Sequence, residues 1–271
     1  MFLRGIPLLI LALFAADVAL SAAPLIDQLA GSPFNRLRNF IDVSREASLP
    51  TWYSSMQWFC AGVLFALAPL YAWRRRLPGM AALAGLALVC LVFSADEVAG
   101  MHEWLGKRSD VLLPGGERAG TVFWRTGPWP FVIGVPVIAL LAVMIYRARK
   151  AFAPAPRSLR LLALGFGVMF AGALVVELAM NLIEEGAQER TLLLLQNVTE
   201  EFLEMLGVSI IVWSAYELLR AYGFELRAPH ALSAPASAEL GSQGAAEAPN
   251  SVTEGVMPET LKGQCGSRIA R

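Results

Sequence analysis

Met80-Ala-Ala-Leu-Ala-Gly-Leu-Ala-Leu-Val-Cys-Leu-Val-Phe-Ser-Ala-Asp-Glu-Val-Ala-Gly-Met-His-Glu103 carries no charge from Met80 to Ala95, then places Asp96, Glu97, His102 and Glu103 close together at its end. A helix of about 20 apolar residues crosses a hydrocarbon core about 30 Å thick, so the stretch reads as a membrane span. The acids at its end are what a span normally excludes. An ionisable side chain in a bilayer costs a few kcal/mol or more unless it faces protein, water or a partner charge, so these residues mark a candidate functional site.

Working outward, the same signature recurs twice, in Val176-Glu-Leu-Ala-Met-Asn-Leu-Ile-Glu-Glu185 and in Thr199-Glu-Glu-Phe-Leu-Glu204. The chain of 271 residues is 56% hydrophobic and only 16% charged, with a mean hydropathy of +0.54. A soluble domain runs near a quarter charged, so this composition belongs to a membrane protein. Lys+Arg and Asp+Glu both number 22, and no basic surplus points to a nucleic-acid partner. Cys60 and Cys90 sit in apolar runs and Cys265 in the far tail, which gives no disulfide framework.

Six segments are long and apolar enough to span, at approximately 2–20, 54–73, 80–103, 131–146, 159–183 and 201–222. The fold class is therefore all-α, a polytopic transmembrane bundle of about six spans over residues 1–226. Residues 227–271, biased to Ala, Ser, Pro, Gly and Glu, read as a disordered cytoplasmic tail. Arg4, an apolar run and Ser21-Ala22-Ala23 also fit a secretory signal, although a retained first helix is the better reading. Pro136 is expected to kink the fourth and shortest span.

Arg74-Arg75-Arg76 follows the second span, Arg147, Arg149, Lys150 and Arg157 follow the fourth, and Arg220 and Arg227 close the sixth. The positive-inside rule makes these sites cytoplasmic and the connections at 21–51, 104–130 and 184–200 external, as in a bacterial inner-membrane protein. Residues 35–54 mix apolar and basic side chains like a short interfacial helix. The Gly-, Pro- and Trp-rich loop from Gly106 to Pro130 fits an outer cap as well as a plain connector.

That orientation brings the acids of three spans to one membrane level. Asp96, His102 and Glu103 close the third span; Glu177 and Glu184 share a face of the fifth through Asn181; Glu204 lies on the sixth. Residues seven apart in a helix face the same way, which also pairs Asp96 with Glu103 through Gly100. Glu46, Glu97, Glu200 and Glu201 join as a second rank. Carboxylates so grouped need a cation, shared protons or arginine partners such as Arg45, Arg125 or Arg190. An oxygen-rich set with one imidazole suits a divalent metal such as Mn, Fe or Ca, with Zn a further candidate; His102 and His230 are the only histidines, which excludes a three-histidine zinc site. Each acid also has a plain reading: Glu200 and Glu201 as first-turn acids on a helix dipole, Glu184 and Glu185 as wet helix ends, His102 as an interfacial residue.

Asp42-Val-Ser-Arg-Glu-Ala-Ser-Leu-Pro-Thr-Trp-Tyr-Ser-Ser55, Ser94-Ala-Asp-Glu97 with His102-Glu103, and Thr199-Glu-Glu-Phe-Leu-Glu-Met-Leu-Gly207 together resemble a group of bacterial multi-pass membrane proteins of no assigned activity. That group carries Arg-Glu...Pro-Thr-Trp, Asp-Glu...His-Glu and Glu-Glu-x-x-Glu-Met boxes. The resemblance covers the membrane region and draws Arg45 and Glu46 toward the candidate site. A weaker analogy to the alkaline ceramidase and progestin receptor superfamily implies three metal-binding histidines, which this chain lacks.

The functional expectation is an outer-face carboxylate and histidine cluster that binds a cation or handles protons, in transport or sensing. The alternatives are a metal-dependent membrane enzyme, either a lipid hydrolase or an oxidoreductase, and a structural subunit. Membrane lipids are the expected partners, and oligomeric state stays open.

Overall fold

Pro7, with φ −59° and ψ 143°, opens the first helix, and Gly31, at φ 80°, supplies the left-handed turn just past its end. The computed structural model of the chain describes residues 7–31, 38–43, 45, 47–72, 78–183 and 190–224. These residues are helical, with no strand among them. The helices are α1 (Leu8–Leu29), α2 (Arg38–Ile41), α3 (Leu49–Ala72), α4 (Met80–Ala99), α5 (Met101–Ser109), α6 (Val135–Ala148), α7 (Pro156–Phe170), α8 (Glu177–Ala179) and α9 (Arg190–Ala221). A π-helical turn at Pro130–Gly134 leads into α6, and a second at Ala171–Val176 joins α7 to α8. Six helical segments are long and apolar enough to cross a membrane: Leu8–Leu29, Leu49–Leu70, Met80–Ala99, Pro130–Ala148, Pro156–Leu182 and Thr191–Ala221.

Several boundaries differ from the expected ones for identifiable reasons. The first span runs past Ser21-Ala22-Ala23 and through Pro24, because alanine and leucine sustain a helix and packed neighbours tolerate the proline. The second begins at Leu49, not near 54: the Ser48 hydroxyl accepts the Thr51 N–H at 3.4 Å as an N-cap, and Pro50 sits in the first turn, where its missing N–H costs nothing. The expected interfacial helix therefore shrinks to α2. Gly100, at φ 59° and ψ 30°, separates α4 from α5 and ends the third span before His102. Pro136 falls at the start of α6, next to a π turn, rather than inside a regular helix. The last helix starts at Arg190, well before Glu201, so residues 190–200 are helical rather than a connection. Arg74 to Arg76 and the tail from 225 lie outside the described residues.

α9 is the central element, with 67% of its spanning window buried against 17% for that of α6. It packs on α1, α3 and α7; α4 lies against α3 and α6. The α7–α9 seam is closed by glycines. A Cβ on Gly165 would stand 2.7 Å from the Gly207 carbonyl oxygen, one on Gly207 would stand 2.6 Å from that of Gly165, and one on Gly172 would stand 2.7 Å from that of Glu200. Small residues of this kind let two membrane helices approach backbone to backbone. Here the approach sets α7 and its π turn beside the acid-bearing turns of α9.

α1 is tied into the same bundle. Asp17, fully buried, accepts hydrogen bonds from Tyr53 Oη (2.8 Å) and Gln57 Nε2 (2.9 Å) on α3 and from Ser209 Oγ (2.7 Å) on α9. At the far end of α1, Gln28 donates to Thr191 of α9 at 3.4 Å. Excision after Ala23 would strip three buried donors of their acceptor, each at about 1–3 kcal/mol.

Two outcomes follow. Gly165→Ala and Gly207→Ala are each expected to lower stability by about 1–3 kcal/mol, whereas Gly167→Ala, whose Cβ meets nothing within 4 Å, leaves thermal stability unchanged or slightly raised. Equal melting temperatures for all three would contradict the close crossing. Intact mass spectrometry of protein extracted from membranes is expected to retain α1; a mature N-terminus at Pro24 would contradict its place in the bundle.

Candidate functional site

The chain direction alternates through the bundle, so the ends of α1, α4 and α8 share one level with the starts of α3, the first π turn and α9. At that level lies a cavity of about 420 Å³ lined by seven carboxylates, His102 and the basic side chains of Arg45, Lys107 and Arg118. Apolar walls come from Trp58 and Phe93 on one side and Phe170 and Leu174 on the other.

The turn at Gly100 builds the Asp96 corner. By folding α5 back at a positive φ, it lets Asp96 Oδ1 accept the His102 N–H at 2.9 Å while Oδ2 meets His102 Nδ1 at 2.8 Å. The carboxylate thus caps α5 and orients the imidazole together. The hydrogen bond from Asp96 raises the pKa of His102 above its ordinary value, with burial opposing and the charges of Asp96, Glu97 and Glu103 adding. The heptad pairing of Asp96 with Glu103 fails because the helix is broken between them. Glu103 is exposed and pairs with Lys107 one turn on at 3.3 Å, so it stands at the rim.

Deeper in, Glu97 accepts the Ser54 hydroxyl of α3 at 3.1 Å. Glu177 accepts the Trp129 indole N–H at 3.3 Å, with Arg118 and Arg125 in its electrostatic surroundings. Glu200 receives Gln196 Nε2 at 3.5 Å, and Gln196 in turn accepts Arg125 Nη2 at 2.9 Å. Glu201 and Glu204 face the cavity from α9, and among the described residues no donor bonds either carboxylate. Because α9 starts at Arg190, Glu200 and Glu201 lie about three turns into the helix and the first-turn dipole explanation does not apply to them. Glu46, Glu184 and Glu185 lie outside the described residues.

The long loop caps the cavity. Asp110 holds Arg118 Nε through both oxygens at 2.9 and 2.8 Å, and Arg118 Nη1 donates to the Arg125 carbonyl at 2.7 Å. Gly127, at φ 72°, is required there, since a Cβ would meet Asp110 Oδ1 at 2.5 Å. Asn181 then clips the loop to the end of the fifth span: its Oδ1 accepts the N–H groups of Arg125 (3.0 Å) and Thr126 (3.3 Å), and its Nδ2 donates to Thr126 Oγ1 (3.0 Å). The helix ends at Leu182, with Ile183 extended, and Glu184, the last member of the expected stripe, lies outside the described residues. Arg118 and Trp129 were not anticipated as cavity residues, nor Ser54 as the partner of Glu97; the Pro, Gly and Trp content of the loop was the signal for the first two.

Among the described residues no three His, Cys, Asp or Glu side chains stand in closed metal-ligating geometry. The acids surround a space rather than a point. Water occupies about 30 Å³ per molecule, so the cavity has room for an ion together with several of its waters.

Fold and site define a multi-pass helical membrane protein with an acid-lined cavity at one end of its bundle. The chain belongs to the family described as "Domain of unknown function (DUF8692)", whose model matches residues 8–219. No curated protein and no solved structure matches it.

The Asp96–His102 pair gives a pH signature. A raised histidine pKa contributes stability in full below the unfolded value and loses it as pH rises through the folded value. In a His230→Ala background, NMR of labelled histidine is expected to show His102 titrating above the usual range, and Asp96→Asn is expected to return it toward about 6.5. An identical midpoint in the Asp96→Asn protein would contradict the pairing.

Proposed function

We propose that this cavity binds a divalent metal cation and that the protein transports or senses it. The observation that carries the reading is the pair Glu201 and Glu204, which share the cavity with Glu97, Glu177 and Glu200 and receive no donor from the described residues. Carboxylates in such surroundings lower their energy most by sharing a cation, and an all-oxygen set with one imidazole matches Mn²⁺, Fe²⁺ or Ca²⁺ better than Zn²⁺. Glutamate side chains are long enough to draw in on an ion that enters with water. The charges of Arg118 and Arg125 bear on Glu177, and that of Arg125 on Glu200, whereas the surroundings of Glu201 and Glu204 are made by other acids.

The cavity is assigned to the outer face of a cell's inner membrane. Arg147, Arg149, Lys150, Arg157 and Arg220 collect at the opposite end of the bundle, the side that the positive-inside rule makes cytoplasmic. A second reading, a metal-dependent membrane enzyme, is favoured by one observation: Asp96 orients His102 at the cavity edge as a carboxylate orients a general base.

Equilibrium dialysis of the purified protein against Mn²⁺, with metal counted by elemental analysis, tests the proposal. About one ion is expected per chain. Glu201→Gln and Glu204→Gln are each expected to weaken binding at least tenfold, about 1.4 kcal/mol, while Glu103→Gln at the rim changes it by less than about threefold. Unchanged affinity in both α9 variants would sink the cation reading. Unchanged Mn²⁺ affinity in Asp96→Asn, with loss of a hydrolytic activity on lipid, would move the assignment to the enzyme.

A further inference from the structure

Asp17 lies at the middle of α1, fully buried, away from the residues that line the cavity. Tyr53 is the titratable group that touches it from α3, Ser209 is its contact from α9, and among the described residues no charged side chain contributes to its surroundings. The hydroxyls of Tyr53 and Ser209 can donate to the carboxylate or accept from the acid, so the same partners serve either charge state. With the carboxylate ionised, Tyr53 Oη and Gln57 Nε2 donate to Oδ1 at 2.8 and 2.9 Å and Ser209 Oγ donates to Oδ2 at 2.7 Å. With a proton on Oδ2, that proton goes to Ser209 Oγ. The serine hydroxyl then turns its own hydrogen away from Asp17. Tyr53 Oη has its own second acceptor, the Leu13 carbonyl at 3.1 Å.

Two further atoms point the same way. Gln57 Oε1 and, one turn beyond Asp17 on α1, Ser21 Oγ are buried with no hydrogen-bond partner among the described residues, in residues only 3% and 4% exposed. Buried polar atoms of this kind mark positions for ordered water, the usual medium of proton movement. Gln57 Nε2 also lies 3.4 Å from the Met205 carbonyl, the residue that follows Glu204 of the cavity.

We propose that Asp17 is a proton-binding site in the membrane interior, loaded and unloaded through Ser209, Gln57 and water from the direction of the cavity. The step binds or releases one proton at Oδ2 and makes or breaks no other covalent bond. The assignment does not depend on what the cavity binds.

Infrared spectroscopy of the full chain in lipid, titrated over pH, tests it. A pH-dependent component of the carboxylic-acid C=O band, over and above those of the cavity acids, is expected in the wild type and lost in Asp17→Asn, which keeps the shape of the side chain. Superimposable wild-type and variant spectra at every pH would overturn the proposal. Where Asp17→Asn does not fold, Ser209→Ala serves instead: it removes a donor to the ionised form and is expected to move the midpoint of that component. A band unmoved in Ser209→Ala would overturn the proposal equally.

Discussion

Carboxylates inside a membrane-spanning bundle have to share something, because each alone costs a few kcal/mol against hydrocarbon. That constraint organises one end of this protein. The acids of α4, the α7–α8 segment and α9 meet a single cavity. Where the constraint is absent, as on α6, the surface is apolar and faces outward.

The geometry that satisfies it rests on a few backbone features. Gly165, Gly172 and Gly207 let α7 and α9 meet closely enough for Glu177 to face Glu200 and Glu204 across one space. Gly100 breaks the third span so that the Asp96 carboxylate can hold both the His102 backbone and its ring. Asn181 and the Asp110–Arg118 pair fold the long loop over the opening. None of these residues carries the function by itself. Each fixes where a functional carboxylate points.

Hydropathy made the six spans legible, because a stretch long enough to cross a bilayer leaves an unmistakable pattern, and three acid clusters at one level followed from helix direction. The details that failed were local. Reading Asp96 and Glu103 as one face required a continuous helix, which Gly100 denies; a lone glycine near an apolar span does not announce a left-handed turn. The fifth span was expected as regular α-helix, and a π turn at Ala171–Val176 followed by a 3-10 turn at Met180–Leu182 leaves no signature in residue type. Starting the last helix near Glu201 undervalued Thr191-Leu-Leu-Leu-Leu, whose apolar run extends α9 outward by three turns. Asp17 interrupts an apolar segment, but its partners lie 36, 40 and 192 residues away, and only the folded bundle brings them together.

The arrangement amounts to a polar chamber at one membrane face and a separate buried carboxyl beneath it, held by helices that cross on glycine. If the chamber's carboxylates share a cation, anomalous diffraction at the manganese edge, from crystals of the full chain equilibrated with Mn²⁺, will show it. A peak is expected inside the cavity between Glu97 of α4 and the Glu201–Glu204 turn of α9, abolished in crystals of Glu204→Gln. Peaks confined to the protein surface, with the cavity free of anomalous density, would contradict a shared cation.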